Sequence, residues 1–334
     1  MSQPRHRALR LSAFAARYRS LRLFFGLRLI SLGFAGAIFL NAIAEGGTPG
    51  IWRTDRVLEK DTRVAKDRLH SSNNPNHEDD SFLNAVGAVW SYTIDKSPAG
   101  YDAATGDNAA TGFLIDQCHV LTNMHVVYTE DTVVDPPAGK PVAFAVGQTE
   151  GEKDRGALQG LKFLLHGRVV AHGDAIIVDH VVRNPDNDWA VIQLAANVDG
   201  SITPMTVAAI DPAQLTLATH VTLSAAGFPT DHREPRGDGF KLKDLWGSDG
   251  RLVGVVSVGT AGAFIQTTIQ TTPGNSGGPI YGDFNERRHI VVGMVQGIRG
   301  NGIDVSESMP NDQVLFTPGT TAKLTAAVAQ TPCR

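Results

Sequence analysis

From Ala85 onward the chain alternates short apolar runs with polar turns. The runs fall at Ala88-Val89-Trp90, Phe113-Leu114-Ile115, Val120-Leu121, Val142-Ala143-Phe144, Ala175–Val178, Ala190-Val191-Ile192, Val221-Thr222-Leu223, Leu252–Val256 and Ile290-Val291-Val292. Runs this short, bounded by turn formers and without alternating helical segments, predict an all-β fold. One helix is predicted at the C-terminal end, in the alanine-rich stretch Thr320–Gln330. Residues 45–83 are polar and irregular. Within them Arg56–Lys66 reads as a short helix and Ser71–Asp80 as a loop or linker.

The N-terminal pattern is different. Seven arginines and no acid occupy the first 28 residues, and an apolar run of sixteen, Leu29–Ala44, follows. It ends in Ala42-Ile43-Ala44, the small-x-small pattern of a signal-peptide cleavage site. The run is short of the ~20 residues a spanning helix needs. Leu23-Phe24-Phe25 extends it beyond Arg28, so an uncleaved anchor is the alternative. Either reading puts the rest of the chain outside the cytoplasm, secreted or periplasmic, with residues 23–44 as the inner-membrane anchor in the second case. The expected division is residues 1–44 as leader or anchor, 45–84 as propeptide or linker, and 85–334 as one domain.

Composition narrows the partners. With 334 residues, 42% hydrophobic and 19% charged, the chain can bury a substantial core. A β-rich unit of over 200 residues can still be one domain. A net charge of −4 and a pI near 6.2 argue against a nucleic-acid surface. The two cysteines, Cys118 and Cys333, either pair and tie the C-terminal tail to the hairpin before His125, or leave Cys118 a small buried hydrophobe. Their spacing does not resemble that of a metal-binding cysteine set.

Candidate chemistry begins at Pro273-Gly274-Asn275-Ser276-Gly277-Gly278-Pro279. Its glycines permit a turn that aims the N–H groups of Gly274 and Ser276 at one point, where an oxyanion can form. Ser276 is then a candidate nucleophile, which needs a base and a carboxylate to be effective. Upstream, Thr111–Val127 reads as a β-hairpin ending in His125, and Asn184–Leu194 as a polar turn feeding a buried strand with Asp188 at the junction. The order is His, Asp, Ser, at spacings of 63 and 88 residues. Asp186 is the rival carboxylate; Asp188 is preferred because it abuts the strand that would bury and orient it. Taken singly, His125 reads as structural, Asp188 as a turn cap and Ser276 as a turn serine; the catalytic reading rests on the three together. His119, His166, His172 and His180 have no matching context and read as surface or core histidines.

Leu121-Thr-Asn-Met-His125-Val, Asp188-Trp-Ala-Val-Ile and Gly274-Asn-Ser276-Gly-Gly-Pro279 together resemble the three fingerprints of trypsin-fold serine peptidases. The similarity runs from about Asn84 to the C-terminus. Phe228-Pro229 and Asp244-Leu-Trp-Gly-Ser-Asp-Gly-Arg-Leu252 resemble the bacterial V8-like glutamyl endopeptidases, and Gln270–Pro279 also resembles the HtrA group. About fifty residues follow the serine motif, too few for a PDZ domain, and the V8-like side is favoured.

The resemblance implies two six-stranded antiparallel β-barrels with a C-terminal helix, meeting near residue 205. It implies a His125–Asp188–Ser276 triad, an oxyanion hole from the N–H groups of Gly274 and Ser276, peptide or protein substrates and no cofactor. Asn275 stands where animal trypsins carry an aspartate that pairs with a freed N-terminus, so that activation route is disfavoured. The primary pocket would be built from Gln270, Thr271 and Val295. None is charged, which predicts cleavage after an uncharged residue. The rival from another class is a catalytically silent, binding or chaperone-like protein of the cell envelope. An esterase of the α/β-hydrolase type is excluded by the order of the triad and by Pro279 and a strand after the serine.

Overall fold

The computed structural model describes residues 64–65, 80–91, 110–128, 132–133, 139 and 141–146, and from 164 to 334 all but several loop positions. The expected leader or anchor therefore lies outside the described residues, as does His180. Among the described residues no helix is long and apolar enough to cross a membrane.

Six strands close the first barrel: β1 (Val86–Ser91), β2 (Ala110–Leu114), β3 (His119–Thr122), β4 (Pro141–Val146), β5 (Leu164–His172) and β6 (Ala190–Leu194). Neighbours follow the order β6-β3-β2-β1-β4-β5, every pair is antiparallel, and β5 returns to β6. Closure leaves no open edge, and a barrel this narrow is filled by its own side chains. Val86, Phe113, Leu121, Phe144 and Ile192 are fully buried accordingly.

The second barrel uses β7 (Thr222–Gly227), β8 (Trp246–Val258), β9 (Gly262–Thr267), β10 (Pro279–Phe284), β11 (Arg287–Val295) and β12 (Asn311–Leu315). The long strand β8 completes the ring. Its first half, Trp246–Arg251, pairs with β7, and its second half, Leu252–Val258, pairs with β9. The remaining order is β7-β10-β11-β12-β9. The expected pair of six-stranded barrels with a C-terminal helix is what the chain forms.

Alternation along the strands sorts side chains between two cores. Ala225, Ile280, Val292, Val295 and Leu315 fill the second barrel. Their neighbours Ala226, Tyr281, Val291, Met294 and Val314 face the other way and join the core that includes the first barrel. The two barrels are thus fused through one layer of side chains.

Two local expectations are corrected. Val64–Ala65, placed in a short helix by the sequence, form a strand that pairs with Gly247 and Trp246 of β8. Ala175–Val178 contributes only Ile177–Val178, in a small side sheet with Thr132–Val133 and Val181–Val182. Both are β-branched or small stretches whose pairing partner decides their form.

Helices are few among the described residues: the one-turn α1 (Met124–Val127), a six-residue helix at Pro212–Leu217 before β7, and the C-terminal α2 (Pro318–Gln330). Thr317 caps α2 by accepting from the Thr320 N–H at 3.1 Å, and Pro318 opens its first turn. Thr320, Leu324 and Ala327 form its buried face, and α2 lies against β5 and β6 of the first barrel. Beyond it, a disulfide joins Cys333 to Cys118 in the turn between β2 and β3. Of the two expected fates for the cysteines, pairing is the one found.

Candidate active site

The helix α1 begins where β3 leaves the first barrel, and it carries His125. Asp188 follows a 3-10 turn, Pro185–Asn187, and lies two residues before β6. Because β3 and β6 are hydrogen-bonded neighbours, with Thr122 opposite Ala190, the sheet register sets the two residues side by side. The Nδ1 of His125 lies 2.6 Å from Asp188 Oδ2, and its backbone N–H donates to Oδ1 at 3.0 Å. A third bond fixes the same corner: Asn123 Nδ2 donates to the Asp188 carbonyl at 2.8 Å. The Asp188 side chain is fully buried, whereas His125 keeps 26% of its side chain exposed. The imidazole thus has one nitrogen clamped inside and a face open to solvent.

Burial alone would push His125 toward neutrality, but the Asp188 charge and hydrogen bond outweigh it and raise its pKa above 6.5. Asp186, the rival carboxylate, is also buried, on the 3-10 turn, where desolvation raises its pKa against its own backbone N–H and the charge of Lys323. Both carboxylate contacts to His125 come from Asp188.

The serine loop belongs to the second barrel but is stitched to the first. Thr111 of β2 donates its N–H to the Ser276 carbonyl at 2.9 Å. Its hydroxyl donates to the Gly274 carbonyl at 2.7 Å and accepts the Phe228 N–H at 3.0 Å. The Thr122 hydroxyl in turn donates to the Thr111 carbonyl at 2.7 Å. Gly277 fits against this seam: a Cβ there would collide with the Thr111 carbonyl and the Thr122 hydroxyl, and its φ of +82° is in the left-handed region. The loop therefore rests two residues before the helix that holds His125.

Within the loop, three backbone N–H groups are used. Asn275 donates to Thr272, Gly277 to Val295 and Gly278 to Asn275, at 2.9–3.0 Å. Those of Gly274 and Ser276 donate to nothing among the described residues. A positive φ at Gly274, +96°, is part of that shape. Ser276 is half-buried.

The three expected pocket residues are found just beside the loop. Gln270 is largely buried, and its N–H donates to Ser248 Oγ at 3.0 Å. Thr271 is fully buried, with Oγ1 accepting from Asn311 Nδ2 at 3.2 Å. Val295 packs in the second-barrel core, and its backbone exchanges hydrogen bonds with Gly277 and Gly278. Asn123, Thr111, Thr122 and Asn311 were not singled out from the sequence. Only Asn123 carried a signal there, its place two residues before His125.

The family model for trypsin matches residues 95–309. The chain belongs to the trypsin family. As a trypsin-family member it is a serine endopeptidase, a hydrolase acting on peptide bonds. Among solved structures it is similar to a Glu endopeptidase bound to MPD, at 19% identity over 82% of this chain and 100% of that one, with a TM-score of 0.47. It is also similar to the active form of the Rv3671c protease from M. tuberculosis, at 18% identity over 76% of this chain and 85% of that one, with a TM-score of 0.44. A thermostable serine protease, AL20, from an extremophilic microorganism matches at 15% identity over 75% and 99%, with a TM-score of 0.45. No curated protein matches the chain.

Proposed function

We propose that peptide hydrolysis in this trypsin-family enzyme is carried out by Ser276, His125 and Asp188. The observation that carries the reading is the His125–Asp188 clamp, with one ring nitrogen held at 2.6 Å and a face left open. In the reaction, Ser276 Oγ attacks the scissile carbonyl carbon as His125 Nε2 removes its proton. The buried Asp188 carboxylate keeps the proton on Nδ1 and stabilises the imidazolium that forms. The tetrahedral oxyanion is held by the N–H groups of Gly274 and Ser276, which the loop leaves unused. His125 then passes its proton to the leaving amine, the acyl-enzyme forms, and water reverses the sequence to free Ser276.

Specificity follows from what surrounds the pocket. Gln270, Thr271 and Val295 offer an amide, a hydroxyl already engaged by Asn311, and an aliphatic side chain. A charged substrate side chain entering there would lose its hydration without gaining a countercharge, so an uncharged residue before the scissile bond is preferred. The Phe228-Pro229 and Asp244–Leu252 motifs favour the V8-like branch, with Val295 where its glutamate-specific members carry histidine. The chain is exported or membrane-anchored through residues 1–44, and residues 45–84 form a propeptide or linker.

Labelling with a fluorophosphonate, compared with Ser276→Ala, tests the nucleophile. Loss of label only in the variant supports it; equal labelling of both proteins overturns it in favour of another nucleophile, and no labelling of either overturns it in favour of a silent binding protein. Cleavage mapping in a peptide library tests the pocket, and a profile dominated by Glu, Lys or Arg before the cut would overturn that assignment.

A further inference from the structure

The inner face of β12 carries two amides beside the proposed pocket. Asn311 and Gln313 are fully buried and two residues apart, so they project from the same face of the strand. Asp312, between them, projects to the other face and accepts from Gln266 Nε2 at 3.1 Å. Leu315, next in the alternation, lies in the core of the second barrel.

Both amides reach the pocket residues. Asn311 Nδ2 donates to Thr271 Oγ1 at 3.2 Å and to the Ile269 carbonyl at 2.9 Å. Gln313 stands opposite Val295 in the pairing of β11 with β12. Its Oε1 accepts the N–H of Gln296, the residue after Val295, at 2.9 Å. That bond fixes which way round the amide sits. An N–H can be met only by the oxygen, so the NH2 end of Gln313 is turned away from Gln296.

The NH2 end is the anomaly. Gln313 Nε2 is buried and has no acceptor among the described residues. Its cross-strand neighbours, Val295 on β11 and Ile265 on β9, are aliphatic, and so is Leu315. A buried donor without an acceptor is costly and rare in native proteins. This one lies where a substrate side chain is to enter, and an acceptor arriving with the substrate would satisfy it.

We propose that Gln313 determines specificity in the primary pocket, its Nε2 selecting a carboxamide side chain, glutamine or asparagine, before the scissile bond. The inference rests on the Ser276 reading and on the pocket of Gln270, Thr271 and Val295. The carbonyl oxygen of the substrate side chain accepts from Gln313 Nε2. Thr271 Oγ1, which takes one bond from Asn311, keeps a second lone pair for the substrate's NH2. An apolar side chain would leave the Gln313 donor unpaired. A carboxylate could accept the same bond, but Gln270, Thr271, Val295, Asn311 and Gln313 hold no cation to replace its hydration. The neutral lining disfavours charge; Gln313 chooses among the uncharged side chains that remain.

Fluorogenic peptides differing only in the residue before the cut test it, glutamine against methionine and asparagine against leucine. For each pair kcat/KM is expected to be about 10–100-fold higher for the carboxamide. In Gln313→Met both ratios are expected to fall to about one. A wild type that is labelled by fluorophosphonate at Ser276, yet cleaves methionine and leucine peptides as well as the carboxamides, overturns the role of Gln313 and leaves the nucleophile in place. A wild type that takes no label overturns the Ser276 reading, and this inference with it. A purely structural Gln313 would lower all four rates together in Gln313→Met and keep the ratios, and that result also overturns the proposal. Should the variant not fold, the wild-type ratios alone decide.

Discussion

The side chain of Asn123 donates to the backbone carbonyl of Asp188 across 2.8 Å, fastening the residue before α1 to the residue that its histidine contacts. Asn123 is fully buried, and its Oδ1 has no partner among the described residues. A polar side chain kept at that cost is there for the bond it does make. Asn123→Ala would leave the Asp188 carbonyl unpaired in the interior. We expect a loss of about 1–3 kcal/mol in denaturant unfolding. We also expect kcat to fall with KM little changed, because the change acts on the position of Asp188.

Activity and stability should respond to pH in opposite senses at His125. The folded pKa lies above 6.5, so the stabilisation from its pairing with Asp188 is fully present below about 6.5 and is lost as pH rises through the raised value. In its proposed role as general base His125 must be neutral, so kcat/KM should rise through that same interval. A pH–rate profile whose acidic limb lies above 6.5, and moves down in Asp188→Asn, would bear this out. The variant should also lose on the order of 10⁴ in kcat.

Thr111→Val removes the hydroxyl that holds the Gly274 carbonyl and the Phe228 N–H while keeping the side chain's shape. The Gly274 peptide then loses its anchor, and the proposed oxyanion donor next to it loses its aim. The expected result is a fall in kcat and in the rate of fluorophosphonate labelling, up to about 10²-fold. Thr111→Ser should retain most of both. Equal rates in the valine and serine variants would remove Thr111 from the site's support.

Gly277→Ala places a methyl against the Thr111 carbonyl and the Thr122 hydroxyl at a φ of +82°. The left-handed conformation alone costs about 1–2 kcal/mol, and the collision adds to it. Differential scanning calorimetry should show a lower Tm, and labelling at Ser276 should drop with it, since the seam between the barrels is displaced.

The three candidate catalytic residues were legible because each sits in a short run whose composition marks it: a glycine turn, the end of a hairpin, a polar turn before an apolar strand. The strand-rich fold was legible for the same reason. Other strands were not, because their pattern is mixed. Trp246–Arg251 reads Trp-Gly-Ser-Asp-Gly-Arg, yet it is the half of β8 that pairs with β7. Asn311–Leu315 carries Asn, Asp and Gln, but Asn311 and Gln313 are fully buried, with Asn311 bonded to Ile269 and Thr271. The seam was hidden more deeply. Thr111 and Gly274 are 163 positions apart, and a single hydroxyl among many has no local signature of so distant a partner. The same holds for Cys118 and Cys333, whose meeting depends on where α2 leaves the tail.

The bond between Cys118 and Cys333 spans 215 positions, and His125, Asp188 and Ser276 all lie between its ends. The stretch that carries all three is therefore a covalent ring, with β1 and β2 on the segment that precedes it. An endopeptidase is exposed to others of its kind, and a nick in an open chain separates two fragments that can drift apart. A first nick in a ring only opens it: the pieces before and after the cut remain one molecule, and each barrel keeps its hold on the other. Self-digestion within the ring must therefore strike twice before the segment bearing His125, Asp188 or Ser276 is released.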